Sequence, residues 1–165
     1  QLVADYLAAF PKLASWMLRS KEHAKRYGQI STQTGRIRHL PMVRALIRQY
    51  GDDLADPLKL WSKYGKGPAY ETMKKHRSTL INELNNAINI QVQGLAASIV
   101  NRAAIALASK GLVPVLQIHD ELVYDIPYSE VASASAIIKD VMENIIKLDV
   151  PLRTVPQSGV NYAKC

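Results

Sequence analysis

Disulfides are excluded from the interior of this chain, because its only cysteine, Cys165, is the last of 165 residues. That scarcity fits a reducing compartment. Long hydrophobic runs are also missing. No stretch approaches the roughly 18 uninterrupted apolar residues of a membrane span, so no membrane partner is expected. The opening Gln1-Leu2-Val3-Ala4-Asp5 lacks the basic-then-apolar order of a secretory signal. Internal repeats and low-complexity tracts are absent. Acidic residues are in short supply, 14 against 21 lysines and arginines, for a net charge of +7. Such a balance points toward a polyanion, since basic side chains displace the counterions condensed on phosphate backbones. Most of the excess lies between residues 12 and 77. A start at Gln1 rather than Met reads as a tagged, processed or excised product.

The length suits one domain of ordinary size. Residues 1–27 carry apolar side chains at helical spacing, with a break expected at Pro11, because proline disfavours the α conformation in Phe10 before it. Gly28 marks the stop. Residues 28–41 read as a short hairpin turning at Thr34-Gly35. Residues 42–70 hold breakers (Asp56-Pro57, Gly65, Gly67-Pro68) and read as an irregular basic insertion, with a helix possible only at 42–49. Residues 71–109 read as a long helix whose apolar face is Leu80, Leu84, Ala87, Ile88, Val92, Leu95, Ile99, Ala103, Ala106 and Leu107. Residues 112–126 read as two apolar strands flanking His119-Asp120-Glu121. Residues 129–147 form an amphipathic helix, and 150–165 a tail that could add a strand. The expected class is α+β, with a small antiparallel sheet packed against long helices.

Two clusters carry chemical potential. His119, Asp120 and Glu121 sit between apolar strands, where adjacent carboxylates repel unless a cation shares them. They make either an ordinary polar turn or a site for Mg²⁺, which seeks oxygen ligands and accompanies phosphates. On the long helix, Asn85, Asn86, Asn89, Gln91 and Gln93 crowd together, with Asn89 and Gln93 four apart on one face. This is either a solvated polar face or a row of amides reading the minor-groove acceptors common to every base pair. Gly94 costs a helix about 1 kcal/mol relative to alanine, and such a glycine often marks the close approach of another group.

Three blocks, in order, resemble the C-terminal palm portion of family A (Pol I-like) DNA polymerases. Thr34-Gly35-Arg36-Ile37-Arg38-His39-Leu40-Pro41 is similar to T-x-x-G-R-x-R-x-L-P. Ala87 to Ser98 is similar to A-x-N-x-x-x-Q-G-T-A-A-D. Gln117 to Val123 is similar to the C motif, V-H-D-E-L, and Ser158-Gly159-Val160-Asn161-Tyr162 resembles the closing G-x-N-W. The chain departs from the pattern at Leu95, Ser98 and Asn85. The resemblance implies that Asp120 is a metal-binding aspartate and Glu121 its assisting neighbour. It implies that His119, Gln93 and Asn89 contact primer or template, and that Arg36 and Arg38 contact phosphates.

The same resemblance implies nucleotidyl transfer from dNTP to a primer 3′-OH on primer–template DNA, assisted by two Mg²⁺ ions. It also implies a cytoplasmic setting, in a bacterial or phage-infected cell. Two family features are not found in this sequence: a first aspartate in a D-Y-S-Q-I-E-like segment and a fingers helix of the K-x-x-x-N-F-x-x-Y-G kind. The expectation is therefore a fragment or one chain of a split polymerase, inactive alone, with the remaining polypeptide supplying fingers, thumb and first aspartate. Two alternatives stay open: a basic, non-catalytic DNA-binding palm remnant, and a fragment of a single-subunit RNA polymerase. The latter's C motif usually reads H-D-S, so Glu121 favours DNA synthesis.

Overall fold

The computed structural model describes residues 2–162 and divides into two compact units, residues 1–95 and 96–165. The class is α+β: six α-helices and two separate two-stranded antiparallel ribbons among the described residues. The expected end of the tail at residues 163–165 lies outside the described residues.

In the first unit, α1 (Leu2–Ala9) and α2 (Pro11–Tyr27) are divided at Pro11, as expected. Gly28 closes α2 in the left-handed conformation, φ 64°, and its N–H donates to the Ala24 carbonyl. The chain then forms β1 (Gln29–Ser31) and β2 (Ile37–His39), in register Gln29 to His39 and Ser31 to Ile37.

The insertion departs from expectation. Residues 42–70 are not irregular: they hold α3 (Pro41–Tyr50), a 3₁₀ turn (Asp52–Ala55) and α4 (Pro57–Tyr64). The supposed breakers are helix starts. Pro41, Pro57 and Pro68 each occupy the first helical position, where a missing N–H costs nothing and the fixed φ suits a helix. The Asp56 side chain caps α4 by accepting from the Leu58 and Lys59 N–H groups.

α5 (Pro68–Ala108) follows; its residues to Leu95 belong to the first unit and the rest to the second. The first unit's core joins Ala24, Ile30, Leu40, Val43, Leu46, Leu54, Leu60, Met73, Leu80, Leu84 and Ala87. Each fully buried leucine contributes about 1.5–3 kcal/mol relative to exposure, so the insertion is part of this core, not an appendage. Lys25 bridges Glu22 at 2.8 Å and Asp52 at 3.2 Å, tying α2 to the 3₁₀ turn. Burial works to lower its pKa, but the hydrogen bonds to Glu22 and Asp52 outweigh it and the net shift is upward. Val92, expected on the apolar face of α5, is 59% exposed. By length and composition alone α5 is long and apolar enough to cross a membrane, as core helices of soluble proteins also are.

In the second unit, Val100, Ala103, Leu107 and Ala134 are buried. Gly111, φ 84°, ends the helical segment, and the Leu112 N–H reaches back to the Leu107 carbonyl. The two expected strands are shorter than the 112–126 pattern suggested: β3 (Leu116–Ile118) and β4 (Glu121–Val123), extended by the Val115 N–H to the Val123 carbonyl. The apolar residues leading into β3 are not buried, with Val113 and Val115 each close to two-thirds exposed. A 3₁₀ turn (Tyr128–Glu130) leads into α6 (Val131–Asn144), within the expected 129–147. The tail from residue 151 adds no strand among the described residues.

Candidate active site

The register of β3 and β4 decides where the carboxylates go. Ile118 pairs with Glu121, so His119 and Asp120 alone make the connection. So tight a loop needs a positive φ at one of its central positions, and His119 takes it at φ 53°. Histidine is among the few non-glycine residues found there with any frequency. His119, Asp120 and Glu121 are all solvent-exposed.

Glu121 is not left to rotate freely. The Tyr162 hydroxyl donates to its carboxylate, Oη to Oε2, at 3.0 Å. The tail that carries Tyr162 is fastened a second time. Glu143 of α6 accepts from the Thr154 N–H at 2.8 Å and from the Thr154 hydroxyl at 3.4 Å. Hairpin, α6 and tail thereby enclose an open cavity of about 590 Å³, lined among others by Asp120, Glu121, Tyr124, Arg153 and Tyr162. Inside this unit the Tyr124 hydroxyl is buried with no hydrogen-bond partner, and burial raises its pKa above the usual tyrosine value.

The donor chemistry suits a hard cation: two neighbouring carboxylates, one already oriented by a hydroxyl. Yet no group of three His, Cys, Asp or Glu side chains able to hold a metal gathers among the described residues. The two carboxylates of the hairpin are by themselves fewer oxygen ligands than such a cation takes.

The other candidates lie in the first unit. Asn89 and Gln93 are exposed one helical turn apart on α5. Gln91, placed in the same amide row from sequence, does something else. Its Nε2 donates to the Ser20 hydroxyl at 2.8 Å, and Ser20 in turn donates to the Trp16 carbonyl. Gln91 thus fixes α2 to α5 and leaves Asn89 and Gln93 outward.

Gly94 shows the close approach its position suggested: a β-carbon there would lie 2.9 Å from the Thr32 methyl. Thr32 is buried, and its hydroxyl pairs with that of Thr34 and accepts from the Arg36 N–H. The hairpin with Arg36 and Arg38 is therefore seated on α5 beside Gln93. Both arginines are exposed, and neither forms an ion pair among the described residues.

Sequence reasoning did not find Tyr162, Glu143, Thr154 or Thr32. For Tyr162 a signal existed: it occupies the tryptophan place of G-x-N-W, and both side chains carry a polar hydrogen at the ring's edge.

The family model described as DNA polymerase family A matches residues 1–164. The chain is 31% identical over 154 residues to a thermostable DNA polymerase I of Thermus filiformis, covering 91% of this chain and 15% of that protein. It is 26% identical over 166 residues to DNA polymerase I of Bacillus subtilis, covering 95% of this chain and 15% of that protein. In three dimensions it resembles the POL domain of Pol1 from M. smegmatis, solved in complex with DNA primer-template and dNTP. The TM-score is 0.63 at 23% identity, covering 92% of this chain and 23% of the other. The chain belongs to DNA polymerase family A. It spans about 15% of the length of the curated relatives it matches.

Proposed function

We propose that this chain contributes one part of the catalytic centre of a DNA-directed DNA polymerase. The observation that carries the reading is the His119-Asp120-Glu121 hairpin. In a family A chain, it holds two carboxylates in solvent at a two-residue turn, with Glu121 steadied by Tyr162.

In this reading Asp120 is the metal ligand and Glu121, oriented by the Tyr162 hydroxyl, assists it. The metals are Mg²⁺, and bound there they would stabilise charge on the attacking and leaving oxygens of the transfer. Asp120 cannot complete such a site, so a first aspartate and the nucleotide-holding lysine and tyrosine come from the remaining polymerase polypeptide. The exposed apolar approach to β3, Val113 and Val115, supports a further segment beside it, since such an edge is otherwise a liability. His119 and Gln93 hold the primer terminus and Asn89 the minor groove. Arg36 and Arg38, exposed and without carboxylate partners among the described residues, hold phosphates. The partners are primer–template DNA and dNTP, in the cytoplasm.

The test is primer extension on a defined template, with this chain alone and with the polypeptide that carries the missing motifs. Activity should need both, and Asp120→Ala in the assembled enzyme should abolish it. Extension by rigorously pure chain alone, or full activity of the variant, sinks this reading.

A further inference from the structure

The helical insertion plays no part in the site just described, yet its charges are distributed in an instructive way. Its four acids between residues 41 and 75 are all engaged. Asp52 pairs with Lys25, Asp53 with Lys59 and Glu71 with Lys74, and Asp56 caps α4. Arg44, Arg48, Lys63, Lys66 and Lys75 are exposed and have no carboxylate partner among the described residues. The segment therefore carries a net positive charge, seven lysines and arginines against four acids between residues 41 and 75.

Aromatic rings stand among them. Trp61 is 44% exposed, Tyr70 meets it edge-on at 5.3 Å, and the Lys66 ammonium lies 5.8 Å from its ring centre. The corner is formed at the turn between α4 and α5, where Gly65 and Gly67 take φ of 60° and 157°. Buried Leu60 anchors the helix end behind it. A duplex presents phosphates but hides its base faces, so it has use for the cations and none for the indole. An acidic peptide likewise needs no ring. An unpaired strand uses both, since each base has a π-face to stack and each linkage a phosphate to neutralise. Lys66 sits on a flexible stem and can leave the ring for a phosphate when a base arrives.

We propose that the Trp61, Tyr70 and Lys66 corner is a stacking site for single-stranded DNA, such as uncopied template. The choice of DNA as the strand rests on the polymerase reading.

The test uses the full chain carrying Trp16→Phe, which leaves Trp61 as the sole tryptophan. A thymidine homo-oligomer should quench its fluorescence. Trp61→Ala should weaken oligomer affinity at least fivefold, because stacking on an aromatic ring is worth ~1–3 kcal/mol per base. Trp61→Phe should keep most of the affinity. Lys66→Gln should weaken binding and reduce the salt slope by about 1. Duplex affinity in Trp61→Ala should stay within about twofold, because stacking contributes nothing there. If Trp61→Ala also lowers the melting temperature, Lys66→Gln carries the test, since it leaves the aromatic pair in place. Duplex binding with an unresponsive Trp61, or equal losses for duplex and single strand, would overturn the inference and leave the polymerase reading standing. Absence of binding to either DNA would overturn the inference, and the polymerase reading would still stand or fall on primer extension by the assembled enzyme.

Discussion

The methyl group of Thr32 occupies the space that a β-carbon on Gly94 would need, at 2.9 Å. One contact thus seats the Arg36–Arg38 hairpin on α5 beside Gln93. Gly94→Ala brings opposed effects. It gains about 1 kcal/mol of helix propensity and forces an overlap that typically costs about 1–3 kcal/mol. The net expectation is a loss of up to ~2 kcal/mol. Thr32→Ser removes the methyl and keeps the hydroxyl bonds to Thr34 and the Arg36 N–H. The double variant should therefore regain parental stability or exceed it. Urea unfolding of the four proteins gives the coupling directly, and strictly additive effects would remove Gly94 from this role.

Asp120→Ala in the assembled polymerase should eliminate incorporation while DNA affinity stays near the parent's. A metal ligand acts mainly on the transition state, whereas DNA is held by phosphate contacts that weaken with salt. Gln93→Ala should be partial, on the order of tenfold in incorporation, because it loses about one hydrogen bond at the primer end. Single-turnover incorporation and affinity at fixed salt separate the two. Similar, mild defects in both would show that the hairpin is an ordinary turn.

Tyr162→Phe deletes the donor to Glu121 and leaves the ring. Glu121 is solvent-exposed, so the hydrogen bond contributes at the low end, ~1 kcal/mol. Incorporation by the assembled enzyme should fall a few-fold with the melting temperature unchanged. Tyr162→Trp should restore most of it, through the indole N–H. A phenylalanine variant indistinguishable from the parent would show that the tail leaves Glu121 alone.

Tyr124→Phe removes a buried hydroxyl that has no partner, so the change should be neutral or stabilising by up to ~1 kcal/mol. Its pH dependence has a definite sign. Burial raises the folded-state pKa above the ordinary 10.0. The parent's stability is therefore at its full value below 10.0 and declines as pH rises through the folded-state value, because the unfolded tyrosine ionises first. Urea midpoints measured across that alkaline range should drop more for the parent than for the variant. A variant clearly less stable at neutral pH would reveal a hydrogen bond at this hydroxyl.

Much of the local structure was legible in the sequence because it depends on neighbours in the chain. Pro11 divides two helices, Gly28 closes one and Ile118 to Glu121 frames a turn. Gly94 was legible for a subtler reason: a glycine inside a helix costs stability, so a contact that excludes a β-carbon was the natural explanation. The insertion was misread because proline and glycine were counted as breakers, when Pro41, Pro57 and Pro68 open helices and Gly51 and Gly65 follow their ends. Position relative to a helix end, not residue type, decides which role a proline plays. Gln91 with Ser20, Tyr162 with Glu121, and Lys25 with Asp52 join residues far apart in sequence, and no local period announces them. The tail could have added a strand, but it is held by the Glu143 side chain instead.

The left-handed backbone of His119 also constrains how this gene can drift. Asparagine and aspartate each lie one base change from a histidine codon, and both tolerate that conformation. Isoleucine, valine and threonine do not, because a branched β-carbon crowds the backbone there. Leucine and proline, also one step away, would have to bend the two-residue loop out of shape. Mutation at this codon is thus sorted by backbone geometry before any demand of chemistry applies. Surviving variants should keep the turn, and with it the placement of Asp120, even where the imidazole itself has been lost.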